Sequence, residues 1–375
     1  MDAGSAHGIS NGAEFTIYQE PDQKTSPVGK LIVVEDKNIG PFTTTLSLPD
    51  GISEVALTGT GYALQTKAGE GEELRLNVEA NHTLDPILEK FLSHTDPARW
   101  QVSLVEKEKA ELAISLDGDK VVFDILNPQV TQFGLTRYPF ALEPTYDAVF
   151  PVIRAAAHYH WHLRRTNTKR VLQNHITLDF RKVEELDHGD ELNPIQPVGE
   201  NLNVNGIIEL VIDPNSEDDY GIKIINNSPL DLYPSLFFFD NSTLSISKYR
   251  LPSEKKVRTH FRRPPLIASY YQPPTALKNL DVPLSKKTAN GPGSLTIGYG
   301  SGGEVPYNYF MRDGQDIDVG FLKLFLTTQP VDYSNIPQSS PFEVGDRATA
   351  PRKEKPRLIW DTILVQVVQR RAPGA

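Results

Sequence analysis

Apolar residues recur at every second position through most of the chain, and helical spacing shows in two stretches. "AEFTIYQE", "GKLIVVED", "FTTTLSL" and "VALTGTGYALQT" read as β-strands, with turn chemistry such as "DQKTSPVG" between them. "EELRLNVEA", "WQVSLVEK", "AELAISL" and "VVFDIL" continue the pattern, the last two joined at a "DGD" hairpin. "TLDPILEKFLSH" places Leu84, Ile87, Leu88, Phe91 and Leu92 at helical spacing, with Thr83 as the expected cap. "YDAVFPVIRAAAHYHWHLRR" does the same with Val149, Val152, Ile153, Ala156 and Ala157, and Pro151 is expected near its first turn. Beyond residue 169 nearly every segment is strand-like: "VLQNHITLDFRKV", "LNVNGIIELVI", "GIKIINNS", "LYPSLFFFD", "LSISKY", "SLTIGYG", "IDVGFLKLFLTT" and "LIWDTILVQVVQ".

This predicts a mainly β protein with a minor α/β part. Residues 1–66 are expected to form a small β-barrel module, 67–168 an α+β segment with two helices, and 169–375 an antiparallel β-sandwich. A length of 375 residues suits two or three domains, and the 29 prolines and 26 glycines punctuate short strands. Gly4, Gly8 and Gly12 start the chain in mid-turn, so Met1 is expected to be the cut end of something longer.

Charge and composition remove whole classes of chemistry. A net charge of −10 argues against nucleic acid as the main partner. The sequence has no cysteine, so it supplies no thiol nucleophile, disulfide or thiolate metal site. Neither a secretory leader nor an apolar run of ~20 residues is visible, which predicts a cytoplasmic protein off the membrane. The sequons at Asn81, Asn226 and Asn241 are then expected to be unused.

The most conspicuous chemistry is "AAAHYHWHLRR". On a strand, His158, His160 and His162 would share a face and could hold one metal ion. On a helix, His158 and His162 share a face while His160 points away. The alanines upstream favour the helix, leaving His158 and His162 as the weak metal candidates and making the stretch a docking helix beside a β module. Either Tyr159 or Trp161 should then pack against a sheet.

Other motifs are weaker. Gly298, Gly300 and Gly303 match a GxGxxG pattern, but "EVPYNYF" follows where a dinucleotide site needs a helix, so a glycine hairpin is expected, with Tyr299 and Ser301 at its tip as a possible contact surface. Asp313, Asp316 and Asp318 in "RDGQDIDVG" could supply oxygens to calcium, without the EF-hand order. "SKYRLPSEKKVRTHFRR" carries Lys248, Arg250, Lys255, Lys256, Arg258, Arg262 and Arg263 against Glu254 alone. It reads as a solvated loop, a contact for an acidic partner, or a polyanion site. No nucleophile elbow, HExxH or Walker A pattern is present, and no cofactor is expected.

"SPLDLYPSLFFFDNSTLSI", "GSLTIGYGSGG" and "RDGQDIDVGFLKLFLTT", together with "GSAHGISNGAEFTIY" and "RAAAHYHWHLRR", resemble the region downstream of the caspase-like peptidase domain in large basidiomycete proteins. The resemblance covers nearly the whole chain. It implies a non-catalytic binding or regulatory module, with that upstream domain or another acidic protein as partner. The lack of a cysteine means that the peptidase nucleophile would belong elsewhere. A metal-dependent enzyme built on His158, His160 and His162, and a polyanion binder built on residues 248–263, are the alternatives.

Overall fold

The computed structural model describes residues 1–20, 26–67, 69, 73–93, 102–190, 193–213, 218–248, 283–300, 305–331, 333, 336–342 and 359–373. The protein is mainly β, 41% strand against 16% helix, in four sheets of which one curls into a half-barrel.

β1 (Glu14–Tyr18), β2 (Gly29–Ile32) and β3 (Tyr62–Lys67) form an antiparallel sheet in the order β2-β1-β3 around Phe15, Ile17 and Val33. The "FTTTLSL" segment contributes only isolated bridges, Ile39 to Thr44 and Ile32 to Ser47. The described pairings leave this sheet open.

A second sheet takes β4 (Leu74–Val78), β5 (Val102–Leu104), β6 (Leu112–Asp117) and β7 (Lys120–Ile125) in the order β5-β4-β6-β7. β6 and β7 meet at the expected hairpin, where Gly118 takes a φ of +63° that a side chain would resist. α1 (Asp85–Ser93) follows β4 as expected. Its entry is organised by Asn81 rather than Thr83, the Asn81 Oδ1 accepting from the Thr83 amide at 2.9 Å. A short helix, α2 (Pro128–Thr131), comes after β7, capped by the Asn127 side chain. α3 (Tyr146–Arg164) is the long helix that the alanines foretold. Pro151 lies inside it, beyond the first turn, so its missing N–H leaves a gap in the helical ladder.

The remainder is strand: β8 (Ile176–Asp190), β9 (Asn193–Val198), β10 (Asn203–Val204), β11 (Ile207–Ile212), β12 (Asp219–Asn226), β13 (Tyr233–Asp240), β14 (Ser245–Lys248), β15 (Gly293–Ile297), β16 (Tyr307–Asn308), β17 (Ile317–Thr327) and β18 (Trp360–Arg371). One sheet runs β10-β11-β18-β17-β13-β14, and the other β15-β12-β8-β9 with β16 also on β12. The pairing is not antiparallel throughout, as had been expected: β11 and β18 run parallel, because the chain crosses to other strands between them.

The central strands of the six-stranded sheet, β17 and β13, are buried on both faces, while β11 at its edge exposes alternate residues. Leu322, Leu324, Leu326, Leu236 and Val367 meet Leu178, Phe180, Ile222 and Ile224 of the facing sheet. Phe237, Phe239, Phe321 and Phe325 turn the other way, into a core shared with α3 and with Leu74, Leu76, Leu112 and Phe123 of the four-stranded sheet. This accounts for "VGFLKLFLT", a run that hardly alternates with polar residues because neither face meets water. Among the described residues no helix is long and apolar enough to cross a membrane.

Candidate functional site

α3 carries the three histidines, and helix geometry divides them. The rings of His158 and His162 stand 4.4 Å apart on one side. His158 Nε2 lies 2.9 Å from the Ile336 carbonyl. His160 points the other way, its Nδ1 3.8 Å from the buried carboxylate of Glu111, which also pairs with Arg164 and Arg75. The three imidazoles therefore do not converge. Among the described residues no group of three or more His, Asp or Glu side chains could hold a metal ion.

At the "HLRR" end of the helix His162, Leu163 and Arg165 are buried, while Arg164 is partly exposed. His160 and His162 are 2% and 0% exposed. Burial pushes His160 down to about 4, against the opposing pull of Glu111, and pushes His162 well below the usual histidine range, with His158, Arg165 and Lys323 adding to the effect. Burial works to raise Glu111, but His160 and Arg164 hold it below its ordinary value. Tyr159 packs edge-on against Phe239 of β13 at 5.3 Å, so the expected docking of one aromatic on a sheet is present.

A feature that the sequence reading missed keeps this end dry. Lys323 sits between Phe321 and Phe325 on the β17 face toward α3, and is buried. Its ammonium donates to the carbonyls of His162 at 2.9 Å and Leu163 at 2.6 Å, which lack partners within the helix. Next to it, the Arg165 guanidinium lies 5.1 Å from the Phe325 ring centroid and 5.2 Å from that of Tyr333, and donates to the Ala6 carbonyl. The signal was available: a lone lysine in an otherwise apolar strand needs a buried partner.

A second missed cluster lies where β13 ends and β17 begins. Arg312 bridges two carboxylates, its Nη2 2.7 Å from Asp240 Oδ2 and its Nη1 3.1 Å from Asp318 Oδ2. The Ser242 hydroxyl donates to Asp318 Oδ1 at 2.7 Å, and Gln315 Nε2 donates in turn to Ser242 at 2.7 Å. The aspartates considered for calcium are thus separated: Asp318 points inward, while Asp316 is exposed and stands 3.5 Å from Arg371.

The strands around the glycine motif do not form the expected hairpin: β15 and β16 each pair with β12 and not with each other, and Gly303 lies outside the described residues. Gly298 and Gly300 take φ of +87° and +66°, and β16, not a helix, follows. Tyr299 folds back over Gly221 of β12, where a Cβ would come within 2.9 Å of the Tyr299 Cε1. Burial, with Asp179 nearby, pushes its hydroxyl up to about 12. β15 and β16 lie end to end along the same edge of β12. The chain beside them exposes Val305 and Phe310, at 78% and 65%, while Tyr309 turns inward against Phe180 and Tyr220. The Arg312 guanidinium lies 5.9 Å from the Phe310 ring.

Of the basic stretch, Lys248 ends β14 with its ammonium 5.9 Å from the Phe237 ring. Arg250, Lys255, Lys256, Arg258, Arg262 and Arg263 lie outside the described residues, as does Ser301. Two of the sequons fall on buried asparagines. Asn226 donates to the Leu230 and Ser285 carbonyls and Asn241 to the Val319 carbonyl, so in the folded chain neither amide is presented at the surface. Comparison of the chain with protein-family models, with curated proteins and with solved structures returned no match.

Proposed function

We propose that the chain is a non-catalytic recognition module that works beside a caspase-like cysteine peptidase domain of a fungal protein, in a cytoplasmic setting. The observation that carries the recognition role is the rim along β12. There Val305 and Phe310 face solvent on either side of β16, where Tyr309 packs tilted against Phe180 and edge-on against Tyr220. Large exposed apolar side chains on a rigid base are the usual make-up of a protein-contact surface. The peptidase partner rests on the resemblance described above, together with the absence of any cysteine in the sequence. In this reading residues 169–375 act as a β-sandwich, and residues 1–66 as a small barrel-like unit docked on α3.

The test is calorimetric titration of the purified chain with a caspase-like domain from the proteins it resembles. Saturable binding is expected, weakened at least tenfold by Val305→Asp combined with Phe310→Asp, since central apolar anchors carry most of an interface's energy. Absence of binding, or binding indifferent to that double substitution, overturns the proposal.

A further inference from the structure

β12 lies between β8 on one side and β15 and β16 on the other. Phe180 of β8 turns its backbone away from β12: its N–H donates to Asn201 Oδ1 at 2.9 Å, and its carbonyl accepts from the Leu202 amide at 2.8 Å. Backbone groups alternate in direction along an antiparallel ladder. Phe180 stands opposite Ile222, and Ile222 opposite Ile297. The N–H and C=O of Gly293, Leu295 and Ile297 therefore point to β12, and those of Ser294 and Thr296 point outward. By the same alternation Tyr307 bonds to β12 and Asn308 faces out. Among the described residues no backbone hydrogen bond reaches the outer side of Ser294, Thr296 or Asn308. β15 and β16 thus present one open edge along Asp219–Asn226, about 26 Å long at ~3.3 Å per residue.

Proteins ordinarily blunt such edges. Here β9 carries Pro194 and Pro197, and isolated bridges from Gln338, and from Leu142 and Arg137, cover β14 and β7. β15 and β16 contain no proline and, among the described residues, have no covering bridge. The side chains along their edge differ from end to end. Ser285 abuts Gly293, where a Cβ would come within 1.8 Å of its carbonyl oxygen, so the exposed Lys286 and Lys287 stand at that end. Lys223 lies opposite Thr296, on the face away from the core that holds Ile222 and Ile224. Asp179, opposite Lys223 on β8, pairs with Arg181, and Asp231 accepts from the Lys286 amide. At the other end the exposed Val305 and Phe310 flank β16.

We propose that an extended segment of a partner protein adds to the β15–β16 edge as a further strand, antiparallel to β15, acidic at the Gly293 end and apolar at the Asn308 end. Its backbone bonds to Ser294, Thr296 and Asn308, its carboxylates meet Lys286, Lys287 and Lys223, and its apolar side chains cover Val305 and Phe310. The inference rests on the recognition role given above, and specifies the shape and charge of what the rim receives.

The test is fluorescence polarisation of the full chain with a labelled peptide of about ten residues, alternating valine and threonine in its first half and valine and glutamate in its second. Saturable binding is expected. Thr296→Pro removes one outward N–H and spares the inward ladder, because proline is tolerated on an open strand edge, and should weaken binding about tenfold or more. Lys286→Glu combined with Lys287→Glu changes only exposed side chains and should do the same. No saturable binding, or binding indifferent to either change, overturns strand addition. If the chain pairs with itself and Thr296→Pro makes it monomeric in sedimentation, the occupant is a second copy and the proposal fails. A caspase-like domain whose binding is lost with Val305→Asp and Phe310→Asp but unchanged by Thr296→Pro overturns strand addition and keeps the rim as a contact surface. A peptide that binds where the domain does not keeps strand addition and overturns the peptidase partner.

Discussion

The ammonium of Lys323 donates to the His162 carbonyl at 2.9 Å, closing the carboxyl end of α3 from inside the protein. A helix end has carbonyls with no partner in the helix, and water normally satisfies them. Here Phe321 and Phe325 exclude water, so a side chain from the facing sheet takes its place. One contact thus joins the α+β part of the chain to the six-stranded sheet.

Truncating that lysine should be expensive. Lys323→Ala removes the donor to two buried carbonyls and leaves a cavity between aromatic rings, and should cost about 3–5 kcal/mol in urea unfolding. Lys323→Met fills the space and removes the cost of burying a charge, so it should lose only about 1–2 kcal/mol. If Met and Ala are equally damaging, the hydrogen bonds outweigh the packing. If both are neutral, the cap contributes nothing.

His160 makes the stability of the fold depend on pH. Its folded value of about 4 lies below the ordinary 6.5, so the unfolded chain binds the proton more tightly. Its contribution is complete above about pH 6.5 and is lost as pH falls toward 4, amounting to at most about 3 kcal/mol. His160→Gln should therefore flatten the acid limb of the stability profile between pH 6.5 and 4. An unchanged acid limb in that variant would show that His160 is not the group responsible.

Much of the fold was legible because its cause is local. The alternation in "AELAISL" and "VVFDIL" and the Gly118 turn require only neighbouring residues, and the hairpin is there. The alanines and apolar spacing of α3 were likewise sufficient to assign a helix, and so to separate His160 from His158 and His162. What escaped was everything set by distant pairing. Residues 240 and 318 are joined through Arg312, and Glu111, just before β6, reaches His160 on α3. The partners of the helix end escaped for the same reason, since Lys323 and the N-terminal segment reach "HLRR" from distant parts of the chain. The parallel pairing of β11 with β18 also depends on chain crossing that no local pattern records.

At the rim, Gly221 and Tyr299 form a pair in which the ring takes the place of the missing side chain. A Cβ at Gly221 would also meet Val183 Cγ1 at 3.0 Å, so the site is tight on both sides. Gly221→Ala should destabilise by about 1–3 kcal/mol, as overpacking does. Tyr299→Ala removes the obstacle, so the double variant should be less destabilised than the sum of the two single changes, by about 0.5–2 kcal/mol. Strict additivity in thermal or urea unfolding would show that the ring does not enforce the glycine.

Gly8 imposes a similar requirement at the other end of the chain. Its φ is +83°, and a Cβ there would fall 2.6 Å from the Trp161 Cη2 atom. Strain and collision act together, so Gly8→Ala should cost about 2–4 kcal/mol if the N-terminal segment stays docked. The alternative is that the segment lifts off, which would uncover Trp161 and also Trp360, whose indole N–H donates to Ser5 at 2.9 Å. Tryptophan fluorescence separates the two responses: a red shift in Gly8→Ala reports undocking, while an unshifted spectrum with a lower unfolding midpoint reports strain. Trp161→Phe, with a smaller ring, should recover part of the loss only if the collision matters. If Gly8→Ala changes neither stability nor emission, α3 does not hold the N-terminal segment in place.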